Sequence, residues 1–326
     1  MRRARHNSRF RPLHADGDAA ARRPYHSKSR HYRDGGEFDI CSNTFILSPS
    51  EMKSKPPVAV VGTFDDLKSC DVRFLEEAAK LGALTVLAWS DDAIQRKLGR
   101  PPKFPEPERE YFLRAIRYVS DVKLAAGEMQ DDTLPEIPGC QPSTWIVEAA
   151  QDNAAKKNFC QSRGFQYRVL RDEALRGFPE SPPRSRSAPG RKKVLVTGCY
   201  DWFHSGHVRF FEEVSGYGDL YVAVGHDANV RLLKGEGRPL FPAAERRYLV
   251  GSIRFVTQAM ISTGDGWMDA EPEIRRIKPD IYAVNEDGDV PVKRDYCAVH
   301  GLEYLVLKRT PAPGLPKRSS TELRGF

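Results

Sequence analysis

The sequence predicts an α/β protein built of two tandem, doubly wound parallel sheets, and three observations predict it. The chain repeats itself over more than a hundred residues. Each repeat alternates short apolar runs with helix-like segments, the pattern of strands joined by right-handed helical crossovers. Each repeat also opens on an apolar run that ends in Gly-x-Tyr/Phe-Asp.

The repeat itself is explicit. Val58-Ala-Val-Val-Gly-Thr-Phe-Asp65 lies over Val194-Leu-Val-Thr-Gly-Cys-Tyr-Asp201 at an offset of 136, and ten of the 21 positions from 58 to 78 equal their partners. One residue of slippage later, Phe104-Pro105, Glu108-Arg109, Tyr111 and Ile116-Arg117 fall on Phe241-Pro242, Glu245-Arg246, Tyr248 and Ile253-Arg254. Farther on, Cys160, Gly164 and Tyr167 match Cys297, Gly301 and Tyr304. A unit this long is a duplicated domain rather than a solenoid repeat.

Four segments follow along the 326 residues. Residues 1–51 read as a disordered basic tail, poor in apolar periodicity. A true start at Met52 and a targeting peptide are the competing readings, the second weakened by Asp16, Asp18 and Asp34 within the basic run. Residues 52–177 form the first domain, 178–193 a Pro/Ser/Arg-rich linker, and 194–326 the second domain. In the second, strands are expected at 194–197, 220–224, 259–262, 281–284 and 304–307. These are nearly continuous apolar runs, as suits sheets covered on both faces. Helices are expected around 208–214, 245–256, 271–277 and 292–300.

Composition narrows the function. Apolar residues make up 40% and charged residues 29%, with no apolar run near the roughly 20 residues a membrane span requires. The net charge is +7, but residues 1–50 hold ten Lys+Arg against five Asp+Glu, so +5 of it lies in the tail. The folded part carries no strong polyanion footprint, which argues against a nucleic-acid partner. Six scattered cysteines with no C-x-x-C pair argue against a zinc ribbon or a disulfide framework and suit a reducing cytoplasm.

In a doubly wound sheet, ligands bind at the carboxyl ends of strands, where strand order reverses. There the second repeat places His204-Ser-Gly-His207, directly before a helix whose Val208, Phe211 and Val214 share a face. Two imidazoles three apart at a helix start point to one side. Gly206 between them lets a phosphate approach, and the free N–H groups of the helix start favour anions. Imidazole N–H groups can donate to phosphate oxygens whose charge grows in a transition state. The pattern is a triphosphate clamp.

These residues resemble the HxGH signature of the cytidylyltransferase-like nucleotidyltransferases, whose domains are Rossmann-like. Arg318-Ser-Ser-Thr-Glu-Leu-Arg324 resembles that family's second signature, a Ser/Thr-rich helix start. The resemblance implies direct attack of a phosphorylated small alcohol or sugar on the α-phosphorus of a nucleoside triphosphate, CTP or ATP, releasing pyrophosphate with Mg²⁺. It implies His204, His207 and Lys234 as catalytic residues. It places Gly198, Tyr200, Asp201, Gly206, Arg246, Arg318, Ser319, Ser320, Thr321 and Arg324 around the nucleotide, and Asn285 and Asp287 near the acceptor or metal. Arg254-Phe-Val256 and Trp267 are similar to features of glycerol-phosphate and phosphoethanolamine cytidylyltransferases, which favours CMP transfer. The run from Arg231 to Arg246 is more similar to heptose-phosphate adenylyltransferases, so adenylyl transfer stands as the alternative, beside a nucleotide-binding regulator without turnover. The first repeat carries Lys68-Ser-Cys-Asp71 where the second has His204-Ser-Gly-His207, so it is expected to be silent. It would act as a pseudo-partner within the chain, with a homodimer, the state family members often form, as the alternative.

Overall fold

The computed structural model describes residues 56–180, 190–320 and Leu323. The tail over 1–51, part of the linker, Thr321 and Arg324 lie outside the described residues.

Two five-stranded sheets follow one another along the chain. The first holds β1 (Pro57–Gly62), β2 (Ala83–Trp89), β3 (Asp121–Ala125), β4 (Thr144–Glu148) and β5 (Gln166–Leu170), in the order β3-β2-β1-β4-β5. The second holds β6 (Lys193–Gly198), β7 (Asp219–Val224), β8 (Val256–Ile261), β9 (Ile281–Asn285) and β10 (Glu303–Leu307), in the order β10-β9-β6-β7-β8. All strand pairs are parallel, with Val194 facing Leu220 on one side and Ile281 on the other. Val194, Leu195 and Val196 are fully buried because helices cover both faces of β6.

The helices of the first half are α1 (Ser69–Leu81), α2 (Asp91–Leu98), α3 (Glu106–Ala115), α4 (Ala154–Arg163) and the short α5 (Asp172–Leu175). Those of the second are α6 (Ser205–Ser215), α7 (Asp227–Lys234), α8 (Ala243–Gly251), α9 (Glu271–Ile277) and α10 (Pro291–His300). Strand order reverses between β6 and β9, so the loops after these two strands open on one crevice. The expected strands are all present. Two expectations about helices need correction. The stretch containing Lys234 lies in none of the expected helices, yet it ends one, α7, whose start is capped by the His226 ring accepting from Asn229 N at 3.2 Å. The helix expected to reach residue 256 stops at Gly251, because the following residues turn into a contact with the first half.

That contact is a pseudo-twofold. Ile116 and Ile253 form an antiparallel bridge. Arg117 N donates to Ser252 O at 2.9 Å and Arg254 N to Ala115 O at 2.8 Å. The Arg117 guanidinium reaches the carbonyls of Ile253 and Val256 at 3.0 and 2.6 Å, and that of Arg254 reaches Ile116 and Val119 at 3.1 and 2.8 Å. Tyr111 donates to Glu212 at 2.7 Å, and Tyr248 to Glu76 at 2.8 Å. Each bond has a twin at the repeat offset, which is what two copies of one surface produce when they pack on themselves. Apolar side chains from both halves, among them Phe74, Leu113, Phe211 and Val250, belong to one continuous core.

Arg117→Ala and Arg254→Ala should therefore each cost about 2–3 kcal/mol by stranding two main-chain carbonyls. The two variants should show equal downward shifts of the urea midpoint; a clear loss in only one would show that the symmetry is not energetic.

Candidate active site

The chain leaves β6 through a tight loop that positions everything after it. Tyr200 sits there at φ +54, as Phe64 does at φ +45 in the first half, a left-handed conformation uncommon outside glycine. Its ring folds back so closely that a Cβ on Gly198 would lie 2.7 Å from it, and this is why position 198 is glycine. The ring is buried against His207, Phe203 and Phe211. Tyr200 thus packs edge-on against the His207 imidazole, and Gly198 makes room for its ring.

Asp201 is also spent on the scaffold. It is buried and accepts from Leu240 N at 2.7 Å, Phe241 N at 3.0 Å and the Arg238 guanidinium at 3.0 Å. Arg246, 2% exposed, donates to the carbonyls of Phe241, Cys199 and Gly225 and to Asp227. Asp65 and Arg109 make the matching bonds in the first half, where the histidines are missing. The placement of both residues corrects the expectation that they line the nucleotide: they fasten the loop after β6 to the segment before α8.

The two histidines begin α6, and their first role is as its cap. His204 Nδ1 accepts from Gly206 N at 3.1 Å, and His207 Nδ1 accepts from His204 N at 3.4 Å. A Cβ on Gly206 would lie 2.9 Å from the His204 ring, so the glycine is what lets the imidazole fold over the helix start. The rings stack with centroids 4.0 Å apart. With each Nδ1 lone pair used as an acceptor, the proton of the neutral ring belongs on Nε2. His204 Nε2 is buried and has no hydrogen-bond partner among the described residues. A buried donor left unmade costs about 1–3 kcal/mol, so this nitrogen calls for an acceptor.

Cations converge on the same spot. Burial, and then the charges of Arg309 and Arg318, lower the His204 pKa to about 3. Burial, His204, Arg309 and Lys234 push His207 well below the ordinary value. Lys234 is exposed at the end of α7. Arg318 belongs to the C-terminal segment, whose Ser320 hydroxyl donates to Trp202 O at 3.1 Å. That segment therefore runs beside the loop bearing the imidazoles, and the two sequence signatures meet. Ser319 stands next to it and its carbonyl accepts from Leu323 N at 3.2 Å. His204 is only 2% exposed, and His207 is half-buried, so the rings are more enclosed than an open clamp would leave them.

Two residues matter that the motifs did not bring into the site. Arg309 pairs with Asp287 at 2.7 Å and donates to Arg318 O at 2.9 Å, linking the loop after β9 to the C-terminal segment. Asn285 closes β9 and shares a small cleft with Gly206, Arg309 and Arg318. The other is Glu108, which enters from the first half: it is 3% exposed and accepts from Ser205 Oγ at 2.6 Å and from two nitrogens of Arg318. Its signal was present, since Glu108 and Glu245 match across the repeat. Trp267 is exposed on a turn that Asn229 pins through Gly266.

The first half keeps the frame without the imidazoles. Asp71 accepts from Lys68 N at 2.7 Å, the place of His207 over His204 N. Burial pushes the Asp71 carboxyl upward, and burial followed by the Asp71 charge does the same to Glu148, which corresponds to Asn285.

Residues 195–326 match the family model described as cytidylyltransferase-like. An FAD synthase of Methanocella paludicola is 32% identical over 135 residues, which are 40% of this chain and 93% of that protein. The chain belongs to the cytidylyltransferase-like family. An FAD synthase of Thermococcus kodakarensis is 41% identical over 100 residues, 30% of this chain and 65% of that one. The bifunctional protein HldE of Azotobacter vinelandii is 35% identical over 301 residues, covering 88% of this chain and 60% of HldE. The chain thus spans about three fifths of that HldE's length. No helix among the described residues is long and apolar enough to cross a membrane.

The depressed histidines carry a pH consequence. The unfolded chain binds protons on these rings below about 6.5, whereas folded His204 does so only near 3. Their contribution is intact above the unfolded value, and stability falls as pH drops from 6.5 toward 3. The thermal midpoint should decline steadily over that interval, and His204→Gln should flatten the decline; an unchanged slope would contradict buried, neutral imidazoles.

Proposed function

We propose that this protein transfers a nucleoside monophosphate from a nucleoside triphosphate to a phosphorylated small alcohol or sugar, releasing pyrophosphate. The observation that carries the reading is the unpartnered, buried Nε2–H of His204 beside His207, with Arg309, Arg318 and Lys234 around them. Neutral imidazoles whose protons sit on Nε2 are donors to phosphate oxygens. They stabilise charge as it grows on the leaving pyrophosphate without needing to titrate. The acceptor is already anionic, so no general base is required, and the residues act by orienting and neutralising. In this reading residues 194–326 are the catalytic half and 52–177 the silent half, since Asp71 and Glu148 oppose a phosphate.

Mg²⁺ enters as part of the nucleotide substrate. It prefers phosphate oxygens and water to a protein cage, and the described residues offer no cluster of three or more His, Cys, Asp or Glu for it. Asp287, expected near a metal or the acceptor, is paired with Arg309, so we assign it to holding that cation.

The preferred donor is ATP. Of the two features that favour CTP, Arg254 spends its side chain on main-chain carbonyls of the first half and Trp267 is exposed on its turn. In this reading the Arg254 motif serves packing between halves. The FAD synthases among the relatives are named for a product that joins AMP to a phosphorylated flavin, which supports adenylyl transfer.

Pyrophosphate release should be measured on the full chain with Mg²⁺, each of the four triphosphates, and a panel of glycerol phosphate, phosphoethanolamine, sugar phosphates and FMN. ATP with one phosphorylated acceptor should give turnover, and His207→Ala should lower it at least about a hundredfold. Absence of turnover with every pair would favour a nucleotide-binding regulator.

A further inference from the structure

We propose that Glu108, in the silent first half, is a positioning residue for the site of the second half: it holds Arg318 and the Ser205 hydroxyl in the geometry that receives the triphosphate. This rests on the reading above and adds to it a residue supplied from outside the catalytic domain.

The pseudo-twofold carries one asymmetry. Glu108 on α3 and Glu245 on α8 are twins, and each accepts from the serine at the start of the opposite half's first helix, Ser205 and Ser69 respectively. Ser69 belongs to the silent site, and among the described residues no arginine pairs with Glu245. Glu108 goes further. Its two oxygens take Arg318 Nε at 3.2 and 3.1 Å and a terminal nitrogen at 2.8 Å, a forked pair whose carboxylate is 3% exposed. The Arg318 guanidinium also lies over the Phe104 ring at 5.4 Å. A bidentate pair fixes the plane of a guanidinium as well as its position. Arg318 is one of the cations acting on His204, and Ser205 lies between His204 and Gly206. One carboxylate therefore sets the orientation of a phosphate-facing cation and of the helix start that bears both imidazoles.

A purely local role for Glu108 would make it equivalent to Glu245, and this gives the test an internal control. The probe is inorganic tripolyphosphate, titrated calorimetrically into the full chain, with pyrophosphate release as a second readout. Glu108→Gln keeps an acceptor for Ser205 but loses the charge that holds Arg318. It should weaken tripolyphosphate binding about tenfold, because a misdirected clamp loses its geometry. Glu245→Gln should leave binding unchanged while shifting the thermal midpoint comparably. In the Arg318→Ala background, Glu108→Gln should have little further effect, the coupling expected when one residue acts through the other; Glu108→Asp should restore part of the loss.

Equal behaviour of the two glutamine variants would overturn the proposal. So would tighter tripolyphosphate binding by Glu108→Gln, which would mean the carboxylate merely competes with phosphate for Arg318. If wild type binds tripolyphosphate but turns over no substrate pair, the transferase reading fails while the role of Glu108 in holding the phosphate site is still decided by these variants. A wild type that binds no tripolyphosphate removes both.

Discussion

The site depends on how the first turn of one helix satisfies its own backbone. Free N–H groups at a helix start are usually met by a Ser, Thr, Asp or Asn side chain. Here they are met by imidazoles, through His204 Nδ1 on Gly206 N and His207 Nδ1 on His204 N. That one substitution of cap chemistry aims the other nitrogen of each ring. Capping with one nitrogen turns the ring into a directed donor at the other, and the rest of the site surrounds that choice. Tyr200 supports it from below, Gly206 makes room for it, and burial, reinforced by the charge of Arg309, keeps both rings neutral. The first half shows what remains when the choice is reversed: Asp71 takes the Lys68 N–H as His207 takes that of His204, and puts a carboxylate where the imidazole stands.

Around this turn the fold is economical with its charged groups. Several arginines that look like phosphate ligands by composition are instead the mortar of the scaffold. Arg246 and Arg109 close loops at strand ends, and Arg117 and Arg254 cross between halves onto bare carbonyls. A guanidinium suits this work because its planar fork can serve several carbonyls at once. The cations left for a ligand come from the chain's last segment and from the end of α7.

Much of the architecture was legible because the repeat supplied each element twice. Strand positions followed from apolar runs buried on both faces, and the crevice followed from the strand order they imply. The repeat also misled in one respect. Asp201 and Arg246 look functional beside the histidines, yet their twins Asp65 and Arg109 stand beside no histidine at all. Retention in the silent half was the sign that these residues build loops. The α7 helix escaped notice because its Leu232 and Leu233 are largely exposed and so give no buried periodicity. Arg309 and Glu108 escaped because their importance lies in whom they meet: one bridges two loops 22 residues apart along the chain, the other crosses to the second half.

The crossed contacts have a final implication for how such a protein can change. When two identical chains pair about an exact axis, every substitution is made twice, and a residue cannot be tuned for one site without altering the other. Joining the copies in one chain removes that restriction and keeps the pair together at any dilution. Glu108 could thus acquire an arginine while Glu245 kept only its serine. Tethering converts a symmetric partnership into one whose two halves can be tuned separately, each carrying residues the other lacks.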